Sequence, residues 1–385
     1  MHTVALQMFR RLNSHTALLY SLRAACQEMH LNKEPLRLRT LLEPHHALLL
    51  EAEPWPEDEK VDRDLLALIK GDLSGQDLSG ANLSDLNLDG VDFFHVNLAS
   101  ARLHGASLKA ANFAHANLSG ADLCGVSASY AVFTEAALLG ANLRAGQFQH
   151  ASFPRSNLSQ AILVDTDISW AVLDGANLTQ TRASYALAQW ASLWHADLSC
   201  GEWTSSDLAG ANMGEAVMNE FQFQYGKADY ARLNRARLKN ASLDHASLQY
   251  ASFFRADLEG ASLREANVAN GYLLETNFTG ANLQGIRATR AVFDGAKFAP
   301  STRIEGTSHD LIAALLENTA QTFEEHMFAA GVRSMRSYCW QDFTEELRER
   351  PALLPWIERT LSPYPGLAPY LRRARGYLGE RAKPR

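Results

Sequence analysis

The chain has 385 residues, 46% of them apolar, and a formal charge of −7 at pH 7. No apolar run approaches the 18 or so residues of a membrane-spanning helix, and four scattered cysteines (Cys26, Cys124, Cys200, Cys339) make no CxxC pair; these facts exclude a membrane span, a zinc site and a disulfide framework as organising principles. The N-terminal stretch, with Arg10 and Arg11, has neither the apolar core nor the cleavage site of a secretory signal, so the reading is of a cytoplasmic protein.

Residues 1–70 form a first region. Apolar residues from Val4 to Met29 keep roughly helical spacing, Pro35 interrupts them, and Leu36 to Glu51 predicts a second helix. Pro54-Trp55-Pro56 and the acids after it predict a linker, and Asp62 to Lys70 a short helix that covers the open end of the periodic segment beginning at Gly71.

From 71 to 300 a single period of five runs unbroken. Leu73, Leu78, Leu83, Leu88, Phe93 and every fifth residue to Phe298 make 46 consecutive units, with the residue two before each centre nearly always small and the one before it usually Asp, Asn or Ser. Five matches neither a strand nor an α-helix, but a chain that turns a corner in every unit can send the central and small residues inward and three outward. Residues twenty apart also agree: Phe93, Phe113, Phe133 and Phe153 share one column, and Leu78 to Leu258 share the next with Met218 the single exception. Four sides per coil follow from that second period.

After Pro300, residues 301–385 return to helical patterning. Thr307-Ser308 predicts the cap of a helix running through Leu311, Leu316 and Phe323 to about Ala330 and ending near Gly331, with further short helices at 340–350, 351–361 and 368–378 and a basic tail.

Units such as Ala81-Asn82-Leu83-Ser84-Asp85 and Ala121-Asp122-Leu123-Cys124-Gly125 resemble the A(D/N)LXX pattern of the pentapeptide repeat family. The resemblance implies an all-β solenoid core, a right-handed quadrilateral β-helix of about 11 coils, flanked by α-helical N- and C-terminal regions. It also implies two kinds of role: some members mimic duplex DNA and bind type II topoisomerases, protecting gyrase from poisons, and others are secreted bacterial effectors or secretion-system accessories.

No catalytic constellation and no cofactor motif is legible, so no enzyme is expected. His95 and His115, twenty apart, are read as two solvated side chains in preference to a metal ladder. The strongest surface signal is a column two residues after the fourth-face centres: Tyr130, His150, Trp170, Trp190, Gly210, Tyr230 and Tyr250, with Trp194 on a neighbouring position. Aromatics in line on a surface mark a contact site, here the expected site for a protein partner, with no direct nucleic-acid contact. A basic cluster, Arg232, Arg235, Arg237, Lys239 and Arg255, could hold an acidic partner, but Glu215, Arg235, Arg255 and Glu275 fall in one column and favour a surface ion-pair ladder. Residues 71–200 hold 5 basic and 11 acidic groups, against 10 and 11 in 201–300. A non-catalytic protein–protein scaffold is therefore the leading expectation, with topoisomerase mimicry and a secreted effector as alternatives.

Overall fold

The computed structural model describes residues 73–304, 309–334, 349–364 and a few positions between and beyond them. The helices and linker expected within 1–70, the helix expected over 340–350, most of that over 368–378 and most of the basic tail lie outside the described residues. The chain divides into two compact units, one ending at Ser192 and one beginning at Leu193.

In the first unit each residue before a centre pairs in parallel with its counterpart twenty residues on, as in Asp77↔Asn97↔Asn117 and Val132↔Ser152↔Val172↔Ser192. Each side contributes one bridging residue per coil, so the walls of the solenoid are columns of single bridges and not long strands. The chain leaves the wall at once because every unit ends in a turn. The Ala81 N–H donates to Leu78 O across the turn at 3.1 Å, and the residue two after each centre has positive φ. From Gly75 to Gly295 every one of these corners is left-handed, thirteen of them glycine and thirty-two not, with the latter at φ 53–62°. Positive φ at the third turn residue alone is the type II pattern.

The preference for Asp or Asn before the centre follows from backbone accounting. In a unit such as 96–100, the N–H groups of Val96, Asn97, Leu98 and Ser100 find carbonyls in the turn or in neighbouring coils. The remaining N–H, that of Ala99, has none, and donates to Asn97 Oδ1 at 3.2 Å. The same side-chain bond recurs at Ser79–Asp77, Ser119–Asn117 and Ser159–Asn157. An unmet buried N–H would cost about 1–3 kcal/mol, so an Asp or Asn before the centre closes the last gap in the units that carry one.

Central side chains and the small residues before them are buried along the unit. Phe93, Phe113, Phe133 and Phe153 stack inside it with centroids 4.7, 4.9 and 4.6 Å apart and planes within 6°. Where the small residue carries a hydroxyl it bonds a carbonyl, as Ser156 Oγ does to Phe153 O at 2.7 Å and Thr166 Oγ1 to Leu143 O at 2.8 Å.

The second unit keeps this plan with one disturbance. Phe221 stands where a small residue belongs, near Trp203 at 6.1 Å and Phe223 at 5.8 Å, all three buried. A void of about 10 Å³ remains among Met213, Met218, Phe221, Phe223 and Ala228. The solenoid also runs past Pro300: Asn282 pairs with Arg303, twenty-one residues on, where Asn277 pairs with Lys297 at twenty. One extra residue at the turn ends the period while the backbone adds a last rung.

The helical region differs from the single long helix the sequence predicts. Helix α1 spans His309–Glu317 and α2 spans Phe323–Ser334, with Gly331 inside α2. The break is chemical. The Glu325 N–H donates to Thr322 Oγ1 at 3.2 Å, and Glu325 Oε2 accepts the Thr322 and Gln321 N–H groups at 2.9 and 2.6 Å. This reciprocal cap starts a new helix at Phe323, which is exposed (83%), where the sequence predicts one continuous helix. A 3-10 turn, Pro351–Leu353, leads into α3, Leu354–Leu361. Six successive residues of α1, Leu311 to Leu316, are buried. Asn318 Nδ2 donates to Ala296 O at 2.9 Å and ties α1 to the last coil, and Trp356 Nε1 donates to Thr319 Oγ1 at 3.2 Å.

Candidate partner-binding surface

The left-handed corner explains where the large side chains go. With φ near +60° the Cα–Cβ bond points away from the coil, so a corner residue cannot be buried and can be of any size. In the first unit the fourth-face corner stacks Tyr130 on His150 (4.9 Å, 6°), His150 on Trp170 (6.1 Å, 18°) and Trp170 on Trp190 (5.5 Å, 17°). Tyr130, Trp170 and Trp190 are 63, 53 and 53% exposed. Stacking of this kind is worth about 0.5–1.5 kcal/mol per pair, against about 1–2 kcal/mol for holding a non-glycine residue left-handed; the ladder does little more than offset its own backbone cost. Stability alone does not account for it.

In the second unit Tyr230 and Tyr250 stack at 4.8 Å and 2°. Trp194 stands apart from that ladder: its ring is edge-on to His195 at 3.9 Å, and His195 Nε2 lies 3.4 Å from Glu215 Oε2. The column reading missed the third-face corner, where Tyr185 and Tyr225 are as exposed as Tyr130 and Tyr225 stacks on His245 at 4.8 Å and 1°. Residues 185, 205, 225 and 245 read at the same twenty-residue step would have found it.

The basic cluster is largely paired. Arg235 Nη1 lies 3.6 Å from Glu215, Lys239 Nζ 2.9 Å from Glu259 and 3.5 Å from Asp257, and Arg255 Nε 2.7 Å from Glu275. The Arg255 hydrogen bond holds the Glu275 carboxyl below its ordinary range, and the Glu259 hydrogen bond, helped by Asp257, lifts Lys239 above its own. Arg255 also lies 4.8 Å over the Phe254 ring. Arg232 and Arg237 carry no ion pair among the described residues. Such exposed pairs contribute little net energy, and the cluster presents two free cations in place of five.

His95 and His115 stack at 4.8 Å, and His115 Nδ1 lies 3.4 Å from Glu135, which in turn pairs with Arg155 at 2.7 Å. Among the described residues no three His, Cys, Asp or Glu side chains are grouped to hold a metal, and no helix is long and apolar enough to cross a membrane.

A chain that turns a left-handed corner every fifth residue and pairs each wall residue with the one twenty on is a β-solenoid repeat protein. Its repeat region belongs to the pentapeptide repeat family, whose model matches in 8 copies over residues 68–93, 92–127, 106–144, 147–180, 231–270 and 272–299. The unmatched stretch between 180 and 231 holds Trp203, Phe221 and Phe223, where large side chains break the pattern.

Among solved structures the chain is similar to HetL, a pentapeptide repeat protein involved in heterocyst differentiation regulation in the cyanobacterium Nostoc sp. strain PCC 7120. That match has 27% identity and a TM-score of 0.36, over 60% of this chain and 91% of that one. Full-length QnrB1, a plasmid-mediated fluoroquinolone resistance protein, matches with 16% identity and a TM-score of 0.28 over 58% and 91%. A pentapeptide repeat protein of the Arabidopsis thaliana thylakoid lumen matches with 29% identity and a TM-score of 0.18 over 29% and 68%. No curated protein matches the chain.

Proposed function

We propose that this protein is a non-catalytic scaffold, a right-handed four-sided solenoid of about 11 coils that works in the cytoplasm and binds another protein through the aromatic ladder Tyr130, His150, Trp170 and Trp190. The observation that carries this reading is the ladder itself: large rings held more than half exposed in left-handed corners, for little net gain in stability. Tyr230, Tyr250 and Trp194 extend the aromatic surface within the second unit, and Arg232 and Arg237 are the cations there that remain open to an acidic group.

Duplex mimicry is less well supported. A mimic needs a continuous negative stripe, whereas Asp92, Asp77, Asp122 and Asp89 of the first unit stand on the first, second, third and fourth faces respectively. Asp77, Asp92 and Asp122 are also bound by Asn side chains of the next coil at 2.8–2.9 Å.

The test is a capture experiment with the full chain, wild type against Trp170→Ala with Trp190→Ala, read by mass spectrometry. The reading expects proteins retained by the wild type and lost by the folded double variant. Equal capture by both, or enrichment of topoisomerase subunits by both, would overturn it.

A further inference from the structure

We propose that the aromatic ladder of the first unit is the contact surface of a weak two-fold dimer, so that its occupant is a second copy of this chain. The proposal rests on the reading of this corner as a protein-binding surface and names the partner. The first observation is how the rings are used. Tyr130, His150, Trp170 and Trp190 lie face to face within 18° of parallel, so six of their eight faces are spent on one another, leaving only the outer faces of the two end rings, while all four edges project. A sugar or a base needs a free ring face; a packed protein surface meets edges.

The second observation is charge. The strips on either side of the ladder, fourth-face residues 127–129, 147–149, 167–169 and 187–189 and first-face residues 132–134, 152–154, 172–174 and 192, contain no Lys or Arg. Their two acids are engaged within the strips: Asp167 accepts from Gln149 Nε2 at 2.7 Å and the Ser169 N–H at 2.9 Å, and Asp174 accepts from Ser192 Oγ. The remaining outward positions are Ser, Gln, Thr, Pro, half-buried Val132 and exposed Val172 and Leu187. A charge-depleted, aromatic-rich patch has the composition of an interface centre, and without cations it offers nothing to a phosphate or an acidic lipid. It can also be doubled onto itself without bringing like charges together.

The third observation is shape. An aromatic ridge runs beside a low strip of Val132, Ser152 and Val172 that pairs coil to coil with the same twenty-residue step. A two-fold axis parallel to the solenoid, in the plane of contact, lays each ridge on the other copy's strip, the self-complementarity an isologous contact requires. Because both copies carry the same coil spacing, ridge and strip stay in step along the whole contact; a partner without that spacing falls out of register after a coil or two.

Four coils at about 4.8 Å and two narrow strips give a patch on the order of 300 Å² per copy, well below a standard stable interface, so the dimer belongs in the micromolar range. Sedimentation of the full chain between about 1 and 200 µM tests it. The expected result is reversible dimerisation in the wild type, weakened at least about tenfold in Trp170→Ala with Trp190→Ala, and weakened likewise in Val172→Arg. The latter is safe for the fold, because Arg102, Arg182 and Arg232 occupy the equivalent position. A wild type that stays monomeric throughout, or a dimer indifferent to both variants, overturns the proposal. A monomer that still captures another protein through Trp170 and Trp190 removes the dimer and leaves the scaffold; a monomer whose captures ignore those residues removes both.

Discussion

Trp170 and Trp190, twenty residues apart in sequence, lie one above the other with ring centroids 5.5 Å apart, and both are in left-handed backbone, at φ 62° and 60°. The pair shows that the corner tolerates any side chain that points outward, while only neighbouring coils decide what that side chain meets. Replacing both by alanine keeps the backbone cost and removes two stacked pairs, so the loss in stability should stay within about 3 kcal/mol. Denaturant unfolding measures it. Fluorescence gives a second readout: with the two exposed indoles gone, the buried Trp203 carries more of the emission and the maximum should move to shorter wavelength. A collapse of the solenoid would show that the ladder is a structural element and not a surface feature.

Asn117 tests the backbone accounting. Its Oδ1 accepts the Ser119 N–H at 3.2 Å and the Ser119 hydroxyl at 2.7 Å, and its Nδ2 donates to Asn97 Oδ1 at 3.0 Å. Asn117→Ala strands the Ser119 N–H and should cost about 1–3 kcal/mol. Asn117→Asp keeps the acceptor and should cost less. Equal losses in thermal unfolding would mean that the side chain matters for something other than the turn.

The same residues show what the sequence could and could not convey. The five-residue period, the twenty-residue step and the phenylalanine column are visible because each inward position is filled in nearly every coil, and repetition averages away local exceptions. The left-handed corners are visible where glycine marks them, as at Gly75 and Gly80, but not at Trp170 or Arg155, where the turn is imposed by neighbouring coils and not by local preference. Phe221 in a small-residue position hides for the same reason: its room is shared with residues of its own and neighbouring coils, including Met213, Ala228 and Leu243. The split between α1 and α2 was legible in the three-residue spacing from Thr322 to Glu325, a capping box, yet the apolar run through Phe323 outweighed it. Tyr185 and Tyr225 escaped because only one corner column was followed to its end.

Gly226 and Phe223 form the tightest dependency in the core. A Cβ at 226 would lie 2.5 Å from two Phe223 ring carbons and 2.7 Å from a third, and Phe223 is enclosed. Gly226→Ala should therefore destabilise by about 1–3 kcal/mol. Elsewhere on this face a central leucine is followed three residues later by alanine, as in Leu243 and Ala246, so Phe223→Leu should relieve the clash. A double-mutant cycle checks it: the expected coupling is favourable, and simple additivity would show that the ring yields without cost.

The cap between α1 and α2 makes a pH prediction. Glu325 is held below the ordinary carboxylate range, first by the Gln321 N–H, then by the Thr322 N–H. A folded-state pKa below the unfolded one means that the unfolded chain binds the proton more tightly, so this contribution is complete at neutral pH. It is lost as the pH falls through and below the usual glutamate value of about 4.3. Glu325→Gln should lower stability at pH 7 and flatten its dependence on pH across that acid range, while Thr322→Ala should cost about 1 kcal/mol through the lost hydroxyl and leave most of the pH dependence in place. Unfolding of wild type and both variants between pH 3 and 7 reads this directly. A Glu325→Gln profile parallel to that of the wild type would assign the acid sensitivity to other carboxylates.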